Sequence, residues 1–220
     1  MDLMKLIQAE KIAKGAEAVI FKGTFLQSPI AIKHRLPKSY RHPDIDNRIR
    51  LHRLRSEAKV MTNARKIGVS VPSLFGVDIE DHILIIESLK GKLLFEEMNS
   101  LPIDKLDPIF VNLGHQIGLL HSNDIIHGDL TVFNVLIQLE DKPSIIDFGL
   151  GKISNELEAK ADDLLTFYST LKAIQPASNI LFNTFLEGYL SVYPEGKNTY
   201  EQMKKIRSRA RYIAREDRLE

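Results

Sequence analysis

Eight consecutive residues limit the chain more than any bulk property does. They are His127-Gly128-Asp129-Leu130-Thr131-Val132-Phe133-Asn134, of the form H-x-D-L-x-x-x-N. Thirteen residues beyond Asn134 comes Asp147-Phe148-Gly149, preceded by the apolar pair Ile145-Ile146. An aspartate on a short loop can orient a hydroxyl or water and accept its proton, which suits Asp129. A carboxylate and an amide oxygen are hard ligands of the kind Mg²⁺ prefers, which suits Asp147 and Asn134. Transfer of a phosphoryl group asks for little else: an in-line nucleophile and cations that offset phosphate charge.

The rest of the chain offers supports for such a site. Apolar or β-branched runs at Ala18-Val19-Ile20-Phe21 and Ile30-Ala31-Ile32, punctuated by Gly23 and Pro29, read as strands. Residues 44–67 read as a helix, with Asp44 or Asp46 as its cap and Gly68 as its stop. Residues 73–79 and 82–87 are further strand candidates. Beyond Gly91 the pattern turns helical at 92–99, 104–122, 159–173, 177–192 and 198–214, with short strand-like pieces at 125–126, 135–139 and 144–147. The expected fold is therefore α+β, a β-rich N-lobe followed by an α-helical C-lobe. Its expected divisions are 1–88, 89–203 and a basic tail at 204–220. The chain has 220 residues and 44% hydrophobic content, enough for a real core. It has no cysteine, so disulfides, thiolate metal sites and a cysteine nucleophile are excluded. No apolar run is long enough to span a bilayer and no signal-peptide pattern is seen, so a soluble, cytoplasmic protein with no membrane partner is expected.

The loop and triplet resemble the catalytic loop and metal-binding triplet of the protein-kinase superfamily. That resemblance implies a bilobal fold, ATP and Mg²⁺ as cofactors, and further positions. Lys33 in Ala31-Ile32-Lys33 looks like the strand-borne lysine on the α and β phosphates, and Glu57 like its helical partner. Glu87-Ser88-Leu89 looks like the hinge, with Glu87 and Leu89 at the adenine and Ile86 as gatekeeper. The phosphate-covering loop corresponds to Ile12-Ala13-Lys14-Gly15-Ala16-Glu17-Ala18. It makes Ile12, Gly15, Ala16, Glu17 and Ala18 candidate nucleotide contacts, although only one glycine is present. Asp163 resembles the helical aspartate that braces the catalytic loop, with Asp162 as its competitor.

Several features depart from ordinary protein kinases. Thr131 stands where Ser/Thr kinases usually carry a lysine beside the γ-phosphate, and no Ala-Pro-Glu follows Asp-Phe-Gly. The platform that holds a peptide is thus missing. These departures themselves resemble one group, the small atypical kinase of the KEOPS complex, a PRPK-like family. The residues that carry this resemblance are Gly15-Ala16-Glu17-Ala18, Lys38-Ser39-Tyr40-Arg41-His42-Pro43-Asp44-Ile45-Asp46, Arg53-x-x-x-Glu57-Ala58, His-Gly-Asp-Leu-Thr at 127–131 and the basic C-terminal run. It spans almost the whole chain.

The resemblance implies an ATP-dependent atypical serine/threonine kinase that acts mainly as an ATPase and can autophosphorylate on serine. Within KEOPS it would support threonylcarbamoyladenosine formation at position 37 of ANN-decoding tRNA. The implied partners are the threonylcarbamoyl-transferase subunit, a small Cgi-type subunit and tRNA. Alternatives are an independent protein serine kinase, a small-molecule phosphotransferase and an ATP-bound scaffold.

Charge bears on the tRNA expectation. The formal net charge is only +1, yet residues 33–66 carry 11 Lys/Arg against 3 Asp/Glu and residues 204–215 carry 6 with no acid, so the remainder sums to −13. Part of the first block belongs to the nucleotide site through Lys33 and the helix bearing Glu57. In the second, helical spacing puts Lys204, Arg207 and Arg211 on one face and Lys205 and Arg209 on another. These five are the candidate tRNA contacts.

Overall fold

The computed structural model describes residues 10–15 and 18–216, with side chains to residue 209. The first lobe is an antiparallel five-stranded sheet with one long helix. Its strands are β1 (Glu10–Lys14), β2 (Val19–Phe25), β3 (Ser28–His34), β4 (Leu74–Asp78) and β5 (Ile83–Glu87), in the order β1-β2-β3-β5-β4. Helix α1 (Pro43–Lys66) is inserted between β3 and β4. The period-2 alternation of β5 sorts its side chains onto two faces. Leu84 and Ile86 face the main core with Leu54, Val60, Met61 and Ala64 of α1. Ile83 and Ile85 pack with Ile30, Ile32 and Phe21 in a smaller cluster on the other face.

Two local signals work differently from the sequence expectation. Gly23 and Pro29 do not separate β2 from β3; they sit inside the ladder, opposite Ile30 and Thr24. The chain reverses at Leu26-Gln27, both at positive φ (47° and 66°). That is the left-handed twist a tight hairpin requires, here adopted without glycine. Helix α1 likewise lacks an aspartate cap. Its N-cap is His42, with no side-chain bond, and Pro43 opens the first turn. Proline's fixed φ and missing N–H suit that position. Asp44 and Asp46 lie inside the first turn instead, where a negative charge complements the helix dipole. Asp46 is buried and accepts from Arg50 Nε at 2.7 Å.

The second lobe is mostly helical: α2 (Leu94–Ser100), α3 (Ile103–Ser122), α4 (Leu157–Ile174), α5 (Ser178–Val192) and α6 (Gly196–Glu216). Two small sheets carry the loops between α3 and α4. One pairs β7 (Ile125–Ile126) with β10 (Lys152–Ile153), and the other orders β6 (Lys92–Leu93), β8 (Val135–Ile137) and β9 (Pro143–Ile145) as β6-β8-β9. Helices α3 and α5 pack very closely. A Cβ on Gly188 would fall 1.9 Å from the Val111 carbonyl oxygen, and one on Gly114 would meet the Phe185 carbonyl oxygen at 1.9 Å. Only glycine permits backbones to approach so far. Phe167, Phe182, Phe185 and Tyr189 form a run of ring contacts alongside, with neighbouring centroids 4.8–6.2 Å apart. The main core runs unbroken from α1 and β5 through α3, α4 and α5. The basic C-terminal run is not a separate segment among the described residues: α6 continues through it, and Met203 is fully buried.

Candidate active site

The site lies between the sheet and the small-sheet loops. Alternation along β3 points Ala31 and Lys33 to the same face, and both line a cleft of about 270 Å³. The other walls are Ile20, Glu57, Met61, Ile86 and the 87–89 segment above, with Asn134, Leu136, Ile146 and Asp147 below. Lys33, Glu57 and Asp147 gather at one charged end, and Ile20, Ala31, Met61, Ile86, Leu136 and Ile146 supply apolar lining. That combination suits a ligand with a flat apolar ring and an anionic tail.

At the charged end, Lys33 Nζ donates to Glu57 Oε1 at 2.9 Å and to Asp147 Oδ1 at 2.5 Å. Helix α1 delivers Glu57 because its buried face carries Leu54, Glu57, Val60, Met61 and Ala64 at helical spacing. The other oxygen of Glu57 accepts from Arg35 Nη2. Both of these side chains are about 1% exposed. Two cations and two carboxylates thus form a compact set of zero net charge, which relieves the penalty of burying any one of them. Arg35 was not singled out from the sequence, although the i, i+2 spacing from Lys33 was a usable signal.

Asp147 has a positive φ of 61°. Aspartate tolerates that region when its side chain bonds locally, and Oδ1 accepts from the Gly149 N–H at 3.1 Å. Burial pushes the Asp147 carboxyl up, but the charge and hydrogen bond of Lys33 outweigh it and hold the group below the ordinary aspartate value.

The loop carrying Asp129 is fixed from behind. Asp163, on α4, accepts from His127 N–H at 2.7 Å and Gly128 N–H at 2.8 Å. Its Oδ2 also contacts His121 Nε2 at 3.3 Å, while His121 Nδ1 meets the Tyr189 hydroxyl at 2.9 Å. Asp163 is buried, whereas Asp162 beside it is exposed. Gly128 has φ +81°, and a Cβ there would lie 2.3 Å from the Leu150 carbonyl oxygen, so the loop crosses the segment after Asp-Phe-Gly at a place only glycine fits. His127 Nδ1 accepts the Asp129 N–H (3.3 Å), which leaves Nε2–H to donate to the Ile146 carbonyl at 3.1 Å. Burial pushes the His127 pKa below its ordinary value, in keeping with this neutral tautomer.

Asp129 is exposed and does not itself line the cleft, but Asn134, which does, bonds it. Asn134 Nδ2 donates to the Asp129 main-chain oxygen (2.8 Å) and to its Oδ2 (3.2 Å). With its NH₂ so engaged, Asn134 keeps its amide oxygen for a cation. Asp147 keeps Oδ2, since the bonds recorded at its side chain fall on Oδ1. No cluster of three or more His, Cys, Asp or Glu residues suited to a metal exists among the described residues. One carboxylate and one amide fit Mg²⁺, which takes few protein ligands and completes its shell with phosphate oxygens and water.

The remaining candidates fall in several places. Glu87 and Leu89 line the cleft. The N–H groups of Glu87 and Ser88 are already bonded to Ser73 and Pro29 carbonyls, and Glu87 Oε2 accepts from Ser73. Ile12 on β1 is 56% exposed, and neither it, Gly15 nor buried Ala18 lines the cleft. Gly15 N–H bonds the Ala18 carbonyl at 2.9 Å. Ala16 and Glu17 lie outside the described residues, as does the Arg211 side chain. On α6, Lys204 sits 4.8 Å over the Tyr200 ring and pairs with Glu201, and Arg207 lies 5.0 Å over Tyr168. Lys205 and Arg209 are exposed. Ile20, a wall of the cleft from β2, was not singled out from the sequence.

Comparison with known proteins agrees with this geometry. Residues 31–160 match the RIO domain family. A Methanosphaera stadtmanae protein is 41% identical over 202 residues, covering 91% of this chain and 36% of its own length. A Methanocaldococcus jannaschii protein is 39% identical over 204 residues, covering 92% and 37%. Both carry the name "Probable bifunctional tRNA threonylcarbamoyladenosine biosynthesis protein". The chain spans little more than a third of the length of these relatives. With the matched region running from the strand of Lys33 through the Asp-Phe-Gly triplet, the chain belongs to the RIO domain family and is a kinase-like, ATP-using enzyme.

Proposed function

We propose that this protein hydrolyses ATP with Mg²⁺ in support of threonylcarbamoyladenosine formation on tRNA, as the kinase-like subunit of a KEOPS assembly. The observation that carries the reading is the Lys33–Glu57–Asp147 set in one cleft with Asn134, whose amide also bonds the Asp129 carboxylate, in a chain whose relatives are named for that tRNA modification. In this reading the slot of Ile20, Ala31 and Ile86 takes the adenine, and Leu89 offers the main-chain group that pairs with it. Lys33 turns from Asp147 to the α and β phosphates. Asp147 and Asn134 would hold Mg²⁺, which would supply positive charge against the phosphate oxygens. Asp129, its carboxylate oriented by Asn134, aligns water for in-line attack and accepts its proton.

Water is favoured over a peptide hydroxyl as acceptor because Asp129 is exposed and no Ala-Pro-Glu platform follows the triplet. Occasional transfer to a serine of the same chain fits the same open site. The transferase subunit, a small Cgi-type subunit and tRNA are the proposed partners, with Lys205 and Arg209 on α6 as tRNA contacts and the cytoplasm as the place of action. The test measures ATP hydrolysis by the purified chain alone, with the transferase subunit, and with that subunit plus tRNA. Slow turnover that rises severalfold with both additions is expected. Turnover indifferent to both, together with efficient phosphorylation of an unrelated protein at one defined site, would instead identify an independent protein kinase.

A further inference from the structure

The basic block at 33–66 exceeds what the cleft uses. Lys33, Arg35 and Glu57 account for the cleft, and Arg50 is held by Asp46. Arg65 donates to the Val71 carbonyl at 3.0 Å and Arg53 is engaged as well, which leaves four cations of α1: Arg48, Arg55, Lys59 and Lys66. All four are exposed, and so are His52 and Thr62 between them. Their positions, 48, 52, 55, 59, 62 and 66, follow helical spacing without a break. At about 100° per residue, all six lie within roughly 40° of the direction opposite Glu57. They form one straight line about 27 Å long. Among the described residues, none of these four cations has a recorded ion pair.

An ordinary solvated helix face mixes both signs, because Glu–Lys pairs at i, i+4 stabilise it and like pairs weaken it by a few tenths of a kcal/mol. Here Arg55 and Lys59 are a like pair at that spacing, and the line contains no acid. Local stability therefore does not explain the pattern. A protein partner would look for apolar or aromatic anchors, and interface cores are poor in lysine. None of the six positions is apolar, and each of the six side chains can donate a hydrogen bond. A regular row of donors and positive charge fits a row of phosphates.

We propose that the outer face of α1 is a second RNA-binding surface, which tracks the phosphate backbone of a folded RNA on the side of the helix opposite the nucleotide cleft. It rests on the tRNA part of the function proposed above and not on the ATP chemistry. The same helix would then hold Glu57 at the cleft and RNA on its back, so one rigid element would join the two sites.

The test uses the full chain and a folded tRNA transcript, with binding followed by fluorescence anisotropy from 50 to 200 mM salt. The triple variant Arg48→Gln, Arg55→Gln, Lys59→Gln keeps good helix formers at all three places. Its affinity is expected to fall at least tenfold at 100 mM salt, and its log–log salt slope to flatten by about two to three. Its ATP turnover without RNA should stay within twofold, and its unfolding midpoint should be unchanged. Unchanged affinity and slope would overturn the proposal. If only a Lys205→Gln, Arg209→Gln variant weakened binding, this surface would be rejected while the tRNA reading stood. Equal affinity for poly-L-glutamate would overturn RNA as the occupant and point to an acidic protein. Failure of the unaltered chain to bind tRNA at all would overturn both the surface and the tRNA reading, whatever the turnover assay shows.

Discussion

Asp163 and His127 each hold more than one partner at once, and substitution of the first and titration of the second should separate their roles. Asp163 takes the N–H groups of His127 and Gly128 and also contacts His121. Asp163→Ala would strand two backbone donors, one buried and one part-buried, at a cost of about 1–3 kcal/mol for a buried one. A loss of about 3 kcal/mol is expected, read as a fall of roughly 6–12 °C in the unfolding midpoint. Asp162→Ala, at an exposed position, should change the stability by less than about 0.5 kcal/mol. His127 offers a test of a different kind. Its folded pKa is depressed by burial, so between that value and its unfolded value the unfolded chain binds more protons. Stability therefore falls as pH drops below about 6.5 and this contribution levels off once pH passes the folded pKa. A nitrogen-resolved NMR spectrum above about pH 6.5 should show His127 as the neutral Nε2–H tautomer. An Nδ1–H signal there would contradict the geometry of its two hydrogen bonds.

Residue type and spacing made much of this site readable before the fold was known. Asp129, Asn134 and Asp147 lie within a short stretch, so local pattern suffices. Resemblance alone favoured Asp163 over Asp162; the fold supplies the physical reason, since Asp163 is buried and Asp162 exposed. Arg35 was missed because a buried arginine beside a lysine runs against the usual expectation of solvated charge. Ile12 lies outside the cleft lining, and a single apolar residue on an edge strand carries no mark in the sequence of which side it faces.

At the scale of elements, helix α1 and the α3–α5 contact decide the arrangement. Helical periodicity revealed α1 but not its start, since Pro43 does by backbone geometry what an aspartate cap would do by hydrogen bonding. The β2–β3 reversal was misjudged because glycine and proline normally mark turns, whereas here both are paired within the ladder. The α3–α5 approach was invisible in the sequence, as Gly114 and Gly188 are 74 positions apart and neither belongs to a local motif. Gly188→Ala would drive a methyl group into the Val111 carbonyl. A loss of about 2–3 kcal/mol is expected from this overpacking, measured by denaturant unfolding. An unchanged midpoint would mean the two helices can separate at no cost.

For the whole molecule, one core joins the α1 side of the sheet to the helices below, so the cleft is bounded by parts that fold together. The same continuity makes the basic C-terminal run part of α6, with Lys204 and Arg207 turned toward tyrosines of their own lobe. Truncation after Met203 would thus remove both the exposed cations Lys205 and Arg209 and the packing of Arg207 on Tyr168. Salt-sensitive tRNA binding should weaken, and the unfolding midpoint should fall with it. The point substitutions at 205 and 209 should weaken binding alone.

The most direct measurement is Mg²⁺-dependent ATP turnover by the purified chain beside its Asp129→Ala and Lys33→Met variants, with nucleotide binding followed in parallel. Asp129→Ala should bind ATP nearly as well as the unaltered chain but turn it over at least 100-fold more slowly, since removal of a positioned general base has an effect of about 10²–10⁴. Lys33→Met should weaken both binding and turnover. Turnover by Asp129→Ala equal to that of the unaltered chain would contradict the assignment of this cleft as the site of ATP chemistry.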